Sequence, residues 1–183
     1  GQPLLGIDEK PVPVDPRQKS WPTQPWPRGG SFVPTCPTTE GPARAVPNFK
    51  TGCLYAAHWD EPILSFPGQG GGADWNHQSF SHTTKWMYTG VGYVGSAHSL
   101  TEASNGLRPL GTGMSGGIVA VDPSTNQVVW KKDLPWSVAH GNGVLTTASN
   151  LLFIGQPDGN LLGLDALNGR ELWRFQKIGR AHA

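Results

Sequence analysis

Two glycine-rich stretches, a histidine pair and two cysteines are the residues of this chain whose types and spacing first suggest chemistry. GTGMSG (111–116) matches G-x-G-x-x-G, a spacing that can cradle a dinucleotide phosphate. That chemistry needs a strand before the glycines and a helix N-terminus after them. Here a polar loop precedes the motif and the strand-like GIVAVD follows, so the nucleotide reading fails. GQGGGA (68–73) fails in the same way. His77 and His82 could hold a metal ion between them, but they stand five apart on a strand-like segment. An odd separation puts two strand residues on opposite faces, which argues against a shared metal. No Ser/His/Asp spacing points to a hydrolase. Cys36 and Cys53 flank a polar, proline-containing stretch. A disulfide there would close a loop of roughly 15 residues, be worth about 3 kcal/mol and imply an oxidising compartment. Two unpaired thiols are the other reading.

The composition narrows the classes. The 183 residues carry 15% charged side chains and a net charge of +1, which excludes a basic footprint for nucleic acid. No apolar run approaches the ~20 residues of a membrane helix. The first residue is not Met, so we expect a processed or excised chain or a fragment. Gly 25, Pro 17 and Trp 8 are all high for this length. Short apolar runs bounded by glycine read as strands, and few segments read as amphipathic helices. The expected class is all-β with long irregular proline- and glycine-rich loops.

The elements that must position any site follow from the pattern. Residues 1–67 are expected as an extended, proline-rich segment docked on a larger body through Trp21, Trp26 and Phe32, since proline disfavours helix and central strand. KWMYTGV (85–91), GGIVAVD (116–122), QVVWKKDL (127–134), GVLTT (143–147), LLFIG (151–155), NLLGLD (160–165) and RELWRFQ (170–176) read as strands separated by turn signals. One gesture occurs twice, 43 residues apart: AVDPSTNQVVW (120–130) and GLDALNGRELW (163–173). Four short strands per such period is the signature of a propeller blade. We therefore expect a partial β-propeller of about two four-stranded blades, at 68–134 with an inserted loop 92–116, and at 135–183. Trp130 and Trp173 are assigned to packing between sheets, with Ala120 and Gly163 as the small residues a ring can rest on. His140 falls on the loop entering the innermost strand of the second blade, which makes it a candidate pocket residue.

These motifs resemble the C-terminal part of the quinoprotein dehydrogenases. The repeated A/G-x-D-x-x-x-G/N-x-x-x-W is similar to their tryptophan docking motif. GGGADWN with SFSHTTKWMYTGV is similar to their GGxNW segment and its continuation. GNGVLTTASNLLFIGQPDGNLLGLDALNGRELWRFQ is similar to their last full blade, and QPLLGIDEKPVPV with WPTQPWP to the segment after an earlier blade strand. The resemblance implies an eight-bladed propeller that holds pyrroloquinoline quinone (PQQ) beside Ca²⁺ or a lanthanide and oxidises an alcohol, sugar or polyol. It implies an electron acceptor such as a cytochrome or quinone and a periplasmic or otherwise exported location. In the family's order the catalytic Asp, the cation that polarises the quinone and the metal ligands precede residue 1, so no catalytic residue or metal ligand is assigned on this chain. Asp74 falls where the family usually has an Asn that bonds the quinone. A carboxylate there repels a polyanionic cofactor unless a cation or proton intervenes. Trp75 is either a ring on the cofactor side or blade packing. Gly141, followed by Asn142, stands where methanol-oxidising members have a cofactor-touching Trp, which leans the substrate toward sugars, polyols or larger alcohols. The cofactor-binding candidates are thus Asp74, Trp75, His140, Gly141 and Asn142.

The competing reading is a non-enzymatic propeller scaffold that binds a protein partner, because fold does not imply function. A pure scaffold has short inter-strand loops. The long segments 1–67 and 92–116, together with GGGADW, favour the enzyme, since binding residues concentrate on loops carried by a rigid frame.

Overall fold

The computed structural model describes residues 4–41, 43–47, 49–100, 108, 110–139 and 141–176. Among them lie thirteen strands and no helix. In chain order they are β1 (Ile7–Pro11), β2 (Thr23–Pro27), β3 (Thr51–Gly52), β4 (Ile63–Ser65), β5 (Ser79–Phe80), β6 (Met87–Gly92) and β7 (Ser96–His98). Then follow β8 (Gly116–Asp122), β9 (Gln127–Leu134), β10 (Val144–Thr146), β11 (Leu151–Gly155), β12 (Asn160–Asp165) and β13 (Glu171–Gln176). Two antiparallel four-stranded sheets, β5-β6-β8-β9 and β10-β11-β12-β13, are the two blades.

The repeated sequence builds the same hairpin twice. In each copy the aspartate ends the third strand and its carboxylate accepts hydrogen bonds from the turn. Asp122 Oδ1 accepts from the Ser124 amide at 2.8 Å and its hydroxyl at 2.6 Å. Asp165 Oδ1 accepts from the Leu167 amide at 2.9 Å. Such aspartate-to-backbone bonds stabilise a turn locally. Four residues after each aspartate the chain passes through the left-handed region, at Asn126 (φ 56°) and Gly169 (φ 73°). Asparagine and glycine are the residues that tolerate it. The register then shifts at Ala120/Val121 in one copy and at Gly163/Leu164 in the other, and Trp130 and Trp173 pair across from Ala120 and Gly163.

Alternation along β8 explains where the core sits. Ile118 and Ala120 face the second blade, in a cluster with Tyr88, Leu134, Val138, Val144, Leu152, Ile154, Leu162 and Leu164. Val119 and Val121 face the other way and pack with Val91, Tyr93, Phe32 and Val33. A strand buried on both faces reads as a continuous apolar run, as GIVAV does. Trp130 locks the two blades together. Its Nε1–H donates to the Ala166 carbonyl in the next blade at 2.9 Å, and Tyr88 Oη–H donates to the same carbonyl at 3.1 Å. The ring covers Gly169 so closely that a Cβ there would lie 2.8 Å from it. Trp173 holds the matching position on the far side, 48% exposed and stacked on Phe175.

Two findings refine the expected loops. The segment 92–116 is not wholly irregular: β7 leaves the first blade and pairs with β4, which also pairs with β3. The segment 1–67 carries the β1–β2 ribbon, whose strands are both edges and so accommodate Pro25 and Pro27. Phe32 docks on the blade as expected, and Trp26 is half-buried against Tyr55. Trp21 is 73% exposed and does not dock. Cys36 and Cys53 form a disulfide, which ties this segment together where it lacks a large apolar core.

Candidate functional site

The glycine-rich turn at 68–73 acquires its shape from the strand it leans on. The Gly68 amide donates to the Val94 carbonyl at 2.9 Å, and the Gln69 amide to Ser96 Oγ at 2.5 Å. The Gly92 amide donates to the Gly72 carbonyl at 2.8 Å. A side chain at Gly68 would run into Ser96 and the backbone of Gly95, so this close approach requires glycine. Beyond the turn, buried Asn76 donates from Nδ2 to the Gly90 carbonyl at 3.1 Å and accepts from the Asp74 amide at 3.3 Å. The Asp74 carboxylate accepts from the Trp75 amide at 2.9 Å. Asn76 thereby fixes the two residues before it, although its own side chain points into the blade.

The result is an open cleft of about 420 Å³ lined by Gln69, Gly70, Asp74, Trp75, Val94, Ser96 and Arg108. Trp75 is 72% exposed and sets its ring on the cleft. Arg108 brings a guanidinium to the same cleft as the Asp74 carboxylate. Nothing in the sequence singles it out, because it stands 34 residues downstream in a loop without a motif.

Gly141 and Asn142 do not line this cleft. Asn142 Nδ2 donates to the Gly155 carbonyl at 2.7 Å, anchoring the entry of the second blade to β11. The following Gly143 abuts His77, and the Val144 amide donates to the His77 carbonyl at 3.0 Å. His77 therefore abuts the entry of the second blade at Gly143 and Val144. His140 lies outside the described residues. His82 stacks edge-on against Phe80. GTGMSG leads into β8 rather than a helix, as expected for a chance match. Among the described residues no group of three or more His, Cys, Asp or Glu side chains converges on a point that could hold a metal ion.

A second, smaller cleft of about 220 Å³ lies against the disulfide and is lined by Cys53, Leu54, Tyr55, Ala56, His58, Ile63, Ser65 and His98. The His58 and His98 rings are 6.1 Å apart. His98 Nε2 lies 2.9 Å from Ser96 Oγ, the hydroxyl that also bonds the Gln69 amide. Burial and the neighbouring His58 push the His98 imidazole below the usual histidine range.

Residues 69–183 match the PQQ_2 family model, described as outer membrane protein assembly factor BamB. The chain belongs to this family. Its curated relatives include a quinoprotein ethanol dehydrogenase of Pseudomonas aeruginosa, 33% identical over 70% of this chain and 24% of the relative. The quinoprotein alcohol dehydrogenase PedE of Pseudomonas putida is 35% identical over 63% of this chain and 20% of the relative. The chain thus spans about a quarter or less of these relatives' length. The quinohemoprotein alcohol dehydrogenase ADHIIG of Pseudomonas putida HK5 superposes with a TM-score of 0.52 at 25% identity, covering 64% of this chain and 20% of that one. A europium-containing methanol dehydrogenase superposes with a TM-score of 0.57 at 17% identity, covering 84% of this chain and 28% of that one, a likeness of fold.

Proposed function

We propose that this chain supplies part of the cofactor floor of a PQQ-dependent dehydrogenase that oxidises an alcohol, sugar or polyol. The observation that carries the proposal is the cleft in which Asp74, Trp75 and Arg108 meet. A planar, polyanionic quinone calls for a flat apolar surface, a cation and hydrogen-bond donors. Trp75 offers the ring, Arg108 the charge and Gln69 a side-chain amide, so the residues present fit the organic cofactor. When bound, PQQ supplies the hydride-accepting carbonyl; the protein supplies orientation and charge. On this chain Arg108 offsets the charge of Asp74 and of the cofactor's carboxylates, and Asn76 holds Asp74 and Trp75 in place. A Ca²⁺ or lanthanide ion is assigned to residues outside this chain. The electron acceptor is a cytochrome or a quinone, in keeping with relatives named 1-butanol dehydrogenase (cytochrome c) and quinohemoprotein alcohol dehydrogenase. The Cys36–Cys53 disulfide supports an oxidising location such as the periplasm.

The second reading, a scaffold that binds a protein partner, is favoured by the assembly-factor description of the matching family model. Titrating PQQ into the full chain with Ca²⁺ present, followed by tryptophan fluorescence, separates the two. Saturable quenching that weakens roughly tenfold or more in Arg108→Gln, the value of one charge-assisted hydrogen bond, supports the cofactor floor. Asp74→Asn is expected to retain or strengthen binding. Absence of quenching both in this chain and in the chain extended upstream removes the proposal in favour of the scaffold.

A further inference from the structure

The cofactor cleft and the histidine cleft share one hydroxyl. Ser96, 2% exposed, lines the first, while its Oγ lies 2.9 Å from His98 Nε2 in the second. The same oxygen accepts the Gln69 amide at 2.5 Å, so Gln69 and Gly70 hold their wall of the cofactor cleft through Ser96. An amide can only donate, so Ser96 Oγ accepts from Gln69; in the His98 tautomer that carries its proton on Nδ1, the Ser96 hydroxyl donates to Nε2. His58 faces His98 across the small cleft, with Nδ1 3.1 Å from the Ala56 carbonyl, an acceptor that fixes the proton on that nitrogen. The other titratable group lining the cleft is Tyr55, and no carboxylate lines it.

Protonating His98 reverses that bond. Nε2 becomes a donor to the second lone pair of Ser96 Oγ, which then accepts twice and holds the Gln69 amide less strongly than when its own proton is donated. The hydroxyl proton is left in a buried place without its acceptor, and no carboxylate lining the cleft balances the new charge.

We propose that His98 is a positioning residue: through Ser96 it sets the Gln69 end of the glycine-rich turn, and its protonation loosens that wall of the cleft, making cofactor binding at this site proton-linked. The reading rests on the proposed function for its consequence, but the relay stands on the geometry of Gln69, Ser96 and His98 alone.

The test is an NMR titration of the full chain from about pH 8 to pH 5, first without ligand and then with PQQ. The Gln69 amide resonance is expected to move with the midpoint of the His98 imidazole, below the usual ~6.5. His98→Gln, which offers a non-titrating acceptor to Ser96, is expected to keep the high-pH Gln69 resonance throughout. PQQ affinity should fall by up to about tenfold per pH unit below the midpoint in the wild type, the limit for one linked proton, and stay flat in His98→Gln. A Gln69 amide that is silent while His98 titrates, or that still titrates in His98→Gln, overturns the relay. Should the variant not fold, the wild-type titration decides. PQQ binding that is absent at every pH overturns the functional reading instead, and the Gln69 amide judges the relay on its own.

Discussion

Trp130 and Trp173 occupy the same place in two copies of one motif, yet one is covered and the other is not. Replacing each by alanine measures what cover is worth. Trp130→Ala removes the Nε1–H···O bond to Ala166, worth about 1 kcal/mol, and the ring contact with Tyr88 at 5.9 Å, worth about 0.5–1.5 kcal/mol. It also leaves a cavity over Gly169 that the rigid turn cannot close. Together these place the loss at about 3–4 kcal/mol, within the range for aromatic-to-alanine changes in a core. Trp173 is 48% exposed and touches mainly Gly163 and Phe175 within its own sheet. Its loss should cost about 1 kcal/mol or less, as for surface changes away from a buried network. For a chain of this size each kcal/mol shifts the melting temperature by roughly 2–4 °C. Calorimetry or circular dichroism melts should then show Trp130→Ala falling by roughly 6–16 °C and Trp173→Ala by no more than about 4 °C. Equal shifts, or a Trp130→Ala melt within about 3 °C of wild type, would refute the idea that the ring locks the blades together.

Reducing the Cys36–Cys53 disulfide should cost about 3 kcal/mol of stability, read as a lower urea midpoint in reductant; an unchanged midpoint would show that the 36–53 loop is held by other contacts. Acid stability offers a further check. The two Ser124 hydrogen bonds hold the Asp122 carboxyl below the usual carboxylate range, so it binds its proton less readily folded than unfolded. Its contribution is therefore fully present above the unfolded value of about 3.9 and is lost as pH falls through the folded one. Asp122→Asn should flatten this part of the acid-unfolding profile, and a profile that keeps its slope would contradict the assignment.

The blade hairpins were legible in the sequence because every force that shapes them acts over a few residues. Asp122 and Asp165 bond amides two positions on, Asn126 and Gly169 take the left-handed turn, and alternation in GGIVAVD and NLLGLD sets the faces. The assignment of Trp130 to packing between sheets was also legible, from its place in the repeat. Which carbonyl its indole N–H bonds, Ala166 in the next blade, was decided by how the two sheets stack.

The candidate site divides along the same line. Asp74 and Trp75 stand out by their place behind the glycines, and the structure sets both on one cleft. Arg108, Ser96 and His98 carry no local signal. Ser96 and His98 are placed because β7 leaves its blade to pair with β4, a contact between segments more than thirty residues apart, and Arg108 comes from a position further along the chain. Gly141 and Asn142 illustrate the converse: their motif position is local, but the Asn142 bond to the Gly155 carbonyl turns that side chain toward β11. Sequence alone determined the repeat, the turns and the chemical class of the residues on offer, since periodicity and turn chemistry are written in neighbouring positions. Tertiary structure decided which side chains share a cleft and which hydroxyl joins two of them. Those contacts depend on packing between distant segments, which no short spacing encodes.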